Sequence, residues 1–330
     1  MDWGAVLENT MRGLIGEQFV YFALAAIGLN IHFGYTGLLN FGQAVFMAAG
    51  AYGLAMAVAT MGLNFWVGIV LGMAVFPLIL SAIMGIPTLR LRADYLAIVT
   101  IAASEMFRII ARSPSLDKWT GSSDGLTAFA TTFYDLSPFD RSQRYLFGLF
   151  IGNQMWVVLV GWVLVALAAL VVWTLIRSPW GRVLKAIRED EDAARSLGKN
   201  AYWFKMQALM LGGVIGAAGG MLRAIGTQSA QPQNFITDVT FFAWVALILG
   251  GVAKVGGPIL GAAILYGVLN FTDIVLRQMV ESGIISSSIM NGTQVGQVRF
   301  MLIGLGLILL SAFRPQGVLG SKEEMALDDR

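Results

Sequence analysis

Nine apolar stretches, at about 18–33, 41–61, 65–87, 94–112, 153–176, 204–227, 239–254, 257–278 and 298–313, take up most of this 330-residue chain. Most approach the roughly 20 residues that a helix needs to cross a bilayer core. The chain therefore reads as all-α, a polytopic bundle of membrane-spanning helices forming one domain over residues 1–330. Composition agrees: 57% of residues are hydrophobic and 13% charged, against about 25% charged in soluble domains. An ordinary cytosolic enzyme is excluded. The stretch from Gly34 to Gln43 is too polar and glycine-rich for a span, but joined to its neighbours it predicts a broken or re-entrant helix. The expected count is accordingly nine to ten transmembrane helices.

Basic residues set the orientation. Arg177, Arg182, Lys185, Arg188, Arg195 and Lys199 crowd 177–200, whereas 228–238 and 280–297 hold no Lys or Arg. Cytoplasmic loops carry that excess, so 177–200 is a cytoplasmic loop. Counting spans from it places Arg90, Arg92 and the 314–330 tail, with Arg314 and Lys322, on the same side, and makes 113–152 an external loop. Nine spans put the N-terminus outside and ten put it inside. The acidic and basic residues Asp2, Glu8, Arg12 and Glu17 argue against a cleaved signal peptide. There is no cysteine and one histidine, His32, which excludes disulfides, thiol catalysis and Cys- or His-built metal sites. A net charge of +2 without a long basic run gives no footprint for nucleic acid.

Within the membrane, Glu105 with Arg108 three residues on forms a candidate ion pair, since an unpaired charge facing lipid costs about 2.5–3.5 kcal/mol. A place in a translocation path is the other use of Glu105. Asp273 and Arg277 read as a pair near the outer end. Asn30, Asn40, Gln43 and Thr100 bring uncharged polarity to apolar surroundings, for interhelical hydrogen bonds or to line a path. Asn40, Gln43, Thr100 and Glu105 are the candidate path residues, and His32 is expected at the interface in a structural role. Glycines repeat every four residues at 212, 216 and 220, at 68 and 72, and at 257 and 261. That spacing lets helix backbones approach closely, within the chain or at a subunit seam. Asn291-Gly292-Thr293 fits a glycosylation acceptor.

The segment 178–198 is the most informative. Ser178 and Pro179 read as the N-cap and first position of a helix. Val183, Leu184 and Ile187 share one face, and Ala193, Ala194 and Leu197 repeat that spacing beyond an acidic stretch. Two short amphipathic helices with a charged hinge are expected. They are too short to cross a membrane, and suited to docking in a groove. Gly198 should end the second helix in a left-handed conformation. Gly198-Lys199-Asn200 only superficially matches the end of a phosphate-binding loop, because the hydroxyl residue is missing.

Asp192-Ala193-Ala194, followed after three residues by Gly198, resembles the Glu-Ala-Ala-x-x-x-Gly motif of the coupling loop in ABC importer permeases. The wider string from Arg177 to Glu191 is similar to LivM-type permeases of branched-chain amino acid transport. So are 28–43 with Gly34-Tyr35-Thr36-Gly37, 89–100 with Arg90-Leu91-Arg92-Ala93-Asp94-Tyr95, and Phe313-Arg314-Pro315-Gln316-Gly317. Departures are Gln43, where the resemblance expects His, and Lys254 in a loop usually uncharged.

The resemblance implies a non-enzymatic, multi-pass permease subunit of a bacterial inner (plasma) membrane ABC importer, embedded in membrane lipid. It implies two cytoplasmic ABC ATPase subunits as partners, a related LivH-like second permease and an external solute-binding protein. ATP and Mg would sit on the ATPases, with no cofactor on this chain. Gly181, Ile187, Arg188, Glu189, Asp192, Ala193, Ala194, Leu197 and Gly198 would carry ATPase coupling. The substrate class would be branched-chain or other hydrophobic amino acids, with urea or short amides as the same permease type's alternative. An ion-coupled secondary transporter built around Glu105 is the competing class.

Overall fold

The computed structural model describes residues 3–91, 93–146, 148–282 and 292–320. Arg92, Asn291 of the glycosylation sequon and Lys322 of the tail lie outside the described residues.

Helices α1 (Trp3–Ile15) and α2 (Glu17–Leu29) meet at a bend on Gly16, where a Cβ would strike the Arg12 carbonyl. Helix α2 runs on through a π-helical turn, Asn30–Tyr35. The chain then leaves helical geometry over 37–42 before α3 (Gln43–Ala55) and its own π-helical end, Met56–Thr60. The expected break is therefore present, as a junction between two spans rather than a tenth span. Helices α4 (Phe65–Val70) and α5 (Phe76–Thr88) form one rod through the wide turn Leu71–Val75. Pro77 explains that turn, because a proline ring collides with the carbonyl one turn earlier and a π-bulge makes room.

Helix α6 (Ala93–Ala111) leads into a segment with α7 (Asp117–Thr120), α8 (Thr131–Asp135) and a small hairpin, β1 (Arg144–Tyr145) against β2 (Phe150–Ile151), with Arg144 opposite Ile151. Helix α9 (Gly152–Arg177) returns across the bundle to α10 (Pro179–Glu189) and α11 (Glu191–Ser196). Four long helices follow: α12 (Ala201–Thr227), α13 (Thr237–Gly250), α14 (Gly257–Glu281) and α15 (Gly292–Phe313).

Among the described residues, seven helical stretches are long and apolar enough to cross a membrane: Trp3–Tyr35, Gln43–Thr60, Phe65–Thr88, Gly152–Arg177, Ala201–Thr227, Pro232–Gly250 and Gly257–Glu281. The other two expected spans fall on α6, whose 19 residues include Asp94, Glu105 and Arg108, and on α15, whose apolar part is Gln294–Leu309. The molecule is a polytopic helical bundle.

Its two ends are defined by contacts. At one, Leu126 bridges to Ala230, the Tyr134 hydroxyl donates to the Ile225 carbonyl at 2.9 Å, and Glu8 lies 3.9 Å from Arg144. The 113–152 segment, the α12–α13 turn and the first helix thus share this loop end. At the other end, Asn30 holds the 251–254 loop, and the amides of Val318 and Leu319 donate to the carbonyls of Leu249 and Gly250 at 3.0 and 2.9 Å. Helix α10 joins that same end through Arg188 and Gly34.

Helices α2, α3 and α12 form the centre, with α3 buried along its whole length. Lipid is as apolar as these side chains, so close packing and interhelical hydrogen bonds hold such a bundle rather than transfer from water. The glycine repeat on α12 supplies the packing: a Cβ at Gly216 would strike the Gln43 amide, and one at Gly220 the Met47 carbonyl. Gly72 abuts the Gly50 carbonyl and Gly261 the Ala246 carbonyl in the same way. The four-residue glycine spacing is used inside the chain.

Candidate functional site

The arm formed by α10 and α11 begins where α9 stops. Ser178 stands at the N-cap with extended backbone and Pro179 behind it, but its hydroxyl donates back to the Leu175 carbonyl at 2.6 Å and caps nothing. The proline, which has no amide to leave unpaired at the first position, does the starting. The hinge between the two helices is Asp190, whose carboxylate accepts the amides of Asp192 and Ala193, both at 2.9 Å. A carboxylate there also complements the positive end of α11. Gly198 closes the arm at φ +76° with open space around it, so its requirement for glycine is one of backbone conformation.

Polar side-chain contacts tie the arm to the bundle. Trp180 Nε1 donates to Gln207 Oε1 at 2.8 Å, Lys205 pairs with Glu191, and Arg188 Nη1 donates to the Gly34 carbonyl. Arg188 also lies over Gly37, on the non-helical break, with its Cγ 3.5 Å from where a Cβ would be. Sequence reading missed these three anchors, although Arg188 itself was among the expected coupling residues.

The expected docking residues divide. Gly181 is buried against Ile176, and Ile187 and Ala194 are both 3% exposed, in one cluster with Ala201 of α12. Ala193, Leu197, Glu189, Asp192 and Gly198 are exposed, Leu197 at 80%. The expectation that Ala193, Ala194 and Leu197 form one outward face is corrected: Ala194 sits about a third of a turn from Ala193 and packs into the chain's own body.

The expected path residues form a buried network near the break. Asn40 Nδ2 lies 2.9 Å from His32 Nδ1, and His32 Nε2 lies 3.1 Å from the Leu209 carbonyl. A carbonyl can only accept, so Nε2 carries the proton and Nδ1 accepts from the Asn40 amide. Asn40 Oδ1 accepts the Gly42 amide at 2.8 Å, and its main-chain carbonyl accepts Trp244 Nε1 at 3.1 Å. Gln43 Nε2 donates to Ala25 and Gly212 carbonyls at 3.2 and 3.4 Å. Thr100 Oγ1 accepts the Phe41 amide at 3.0 Å and donates to Ala97. His32, expected at the interface, is fully buried, because its ring bridges the break to α12. Asn30 closes the same end, accepting the Ala253 amide and donating to the Lys254 carbonyl, each at 2.9 Å.

Glu105 stands apart from this network, in a forked pair with Arg108 whose Nε lies 3.0 Å from both carboxylate oxygens. Asp273 pairs with Arg277 at 2.8 Å and also with Arg299 at 3.3 Å. Sequence reading passed over two further intramembrane charges, Arg223 on α12 and Arg299 on α15. A single arginine in an apolar stretch is itself a signal.

The structure is thus a many-span bundle carrying a two-helix arm tied into a broken helix, and among the described residues no group of His, Cys, Asp or Glu could hold a metal ion. Residues 14–310 match the family model described as the branched-chain amino acid transport system permease component, and the chain belongs to that family. It is 30% identical to the high-affinity branched-chain amino acid transport system permease protein LivM of Salmonella typhimurium, over 92% of this chain and 69% of that protein. It is 26% identical to a probable LivM permease of Methanocaldococcus jannaschii, over 92% of each. A nucleoside ABC transporter permease of Lactococcus lactis, NupC, is 27% identical over 48% of each chain. The protein is a multi-pass inner-membrane permease.

Proposed function

We propose that this chain is the membrane subunit of an ABC importer, passing branched-chain or other hydrophobic amino acids delivered by an external solute-binding protein. In this reading it pairs with a related second permease and two cytoplasmic ATPases, which bind ATP and Mg and hydrolyse the nucleotide. Residues 177–200 and the 314–330 tail face the cytoplasm, and 113–152 faces outward.

The observation that carries the reading is the α10–α11 arm. Its outer surface presents Leu197, 80% exposed, beside Ala193, the kind of small apolar knob a groove on a partner accepts. Its inner surface is bonded through Arg188 to the end of α2. Closure of an ATPase dimer would therefore push on a lever already attached to the broken helix, and alternating access follows from that displacement. Glu105 is committed to Arg108, which leaves an ion-coupled mechanism without a free intramembrane carboxylate at that position.

Leu197→Glu tests the docking. Truncating or charging a central interface contact costs about 2 kcal/mol or more, roughly thirtyfold in affinity. Permease abundance in the membrane should be unchanged, while ATPase co-purification and uptake are lost. ATPases that still co-purify, with uptake intact, would reduce the arm to a connecting loop.

A further inference from the structure

Between α2, α12, α13, α14 and α15, at the loop end, the bundle forms a half-open cavity of about 500 Å³, within the size range of small-ligand pockets. Two guanidinium groups line it, those of Arg223 and Arg299. Arg223 Nη1 and Arg299 Nε are buried without a hydrogen-bond partner among the described residues. Arg299 has Asp273 at 3.3 Å on its other side. Arg223 has no ion pair among the described residues and lies over the rings of Phe22 and Phe235, at 6.0 and 5.8 Å. Two guanidinium groups on the lining of one cavity, only one of them in an ion pair among the described residues, form a place for an anion with two acceptor oxygens.

The rest of the lining narrows the class. Glu17 and Asp238 supply negative charge to the same cavity, with the Glu17 carboxylate accepting the Tyr21 hydroxyl at 3.2 Å. Phe22, Phe242 and Phe300 form an aromatic wall, with ring centroids 6.2 and 5.7 Å apart in succession. Positive charge, negative charge and an apolar wall in one cavity match a carboxylate, an ammonium and a hydrocarbon side chain on one small molecule.

We infer that this cavity binds an apolar α-amino acid, its carboxylate on Arg223 and Arg299, its ammonium toward Glu17 and Asp238, and its side chain against Phe22 and Phe242. Its use as a receiving site in transport rests on the function proposed above.

The test is binding to the full-length purified chain in lipid nanodiscs. The probes are leucine, leucinamide (no carboxylate), 4-methylpentanoate (no ammonium) and inorganic phosphate. Leucine should bind most tightly, and leucinamide about tenfold or more weakly, the loss expected for hydrogen bonds to a charged group. Arg223→Gln and Arg299→Gln should each weaken leucine by about the same factor. The Arg299 variant covers the case in which Arg223→Gln does not fold, because Asp273 keeps Arg277. Absent leucine binding, binding unchanged in the folded variants, or phosphate binding more tightly than leucine would each overturn the inference. ATP-driven leucine uptake by the assembled transporter is measured separately. Uptake absent with Arg-dependent binding intact removes the transport reading and keeps the site; uptake present with binding indifferent to the arginines does the reverse.

Discussion

The two ends of this bundle treat buried polar groups in opposite ways. At the arm end, His32, Asn40, Gln43 and Asn30 direct their side chains to main-chain carbonyls and amides or to one another, and Arg188 gives a donor to Gly34. At the loop end, Arg223 and Arg299 lie on the lining of a cavity, and each keeps one buried nitrogen without a partner among the described residues. A satisfied network fixes a geometry, here the junction of α2 and α3 with α12. An incompletely paired one beside open volume has room for the ligand inferred above. Force would enter at the first end and solute at the second.

Breaking the satisfied end should have the largest effect. Asn40→Leu leaves His32 Nδ1 without its donor and the Gly42 amide without its acceptor, and each unmade buried bond costs about 1–3 kcal/mol. Folded protein in the membrane, measured by abundance and by melting in detergent, should fall severely. Normal abundance with uptake abolished would move Asn40 from the scaffold to the path and weaken the comparison.

Ala194→Arg should come next. Its methyl is buried against Ile187 and Ala201, so a long charged side chain forces the arm off α12, at about 1–3 kcal/mol or more. The expected signature is protease sensitivity confined to 177–200 together with lost uptake, unlike Leu197→Glu, which should leave the arm folded. An arm as protected as in wild type would show that Ala194 faces outward after all.

Glu105→Gln should matter least. The change leaves Arg108 without its partner, but Arg108 lies three residues from the end of α6, where a long stem lets the guanidinium reach the interface, so the cost stays below the roughly 2.5–3.5 kcal/mol of an unpaired charge at mid-bilayer. Abundance should drop modestly and uptake in proportion to it. A selective loss of uptake would return Glu105 to the translocation path.

Much of this was legible in the sequence, for physical reasons. Hydropathy reports spans because a helix in lipid must be apolar along its length. The break announced itself through Asn30, Gly34, Gly37, Asn40 and Gln43, which no lipid-facing helix would carry together. Asp190 and Gly198 marked the hinge and stop of the arm, since each acts on its local backbone. Periodicity locates an apolar face but not what covers it, and so Ile187 and Ala194 were assigned to a partner when their own chain covers them. Ser178 had the right position for a cap, while its hydroxyl found Leu175 nearer. The cavity was illegible because Glu17, Arg223, Asp238 and Arg299 lie on four helices, and only their packing brings them to one space.

If the arm drives the broken helix through Arg188, the number of leucine molecules taken up per ATP hydrolysed in proteoliposomes carrying the assembled transporter depends on that side chain. Arg188→Ala removes the donor to Gly34 and leaves Leu197 and Ala193 exposed for docking. The ATPases should still bind and hydrolyse ATP, while uptake per ATP falls well below the wild-type ratio. An unchanged ratio, with both activities intact, would contradict the account.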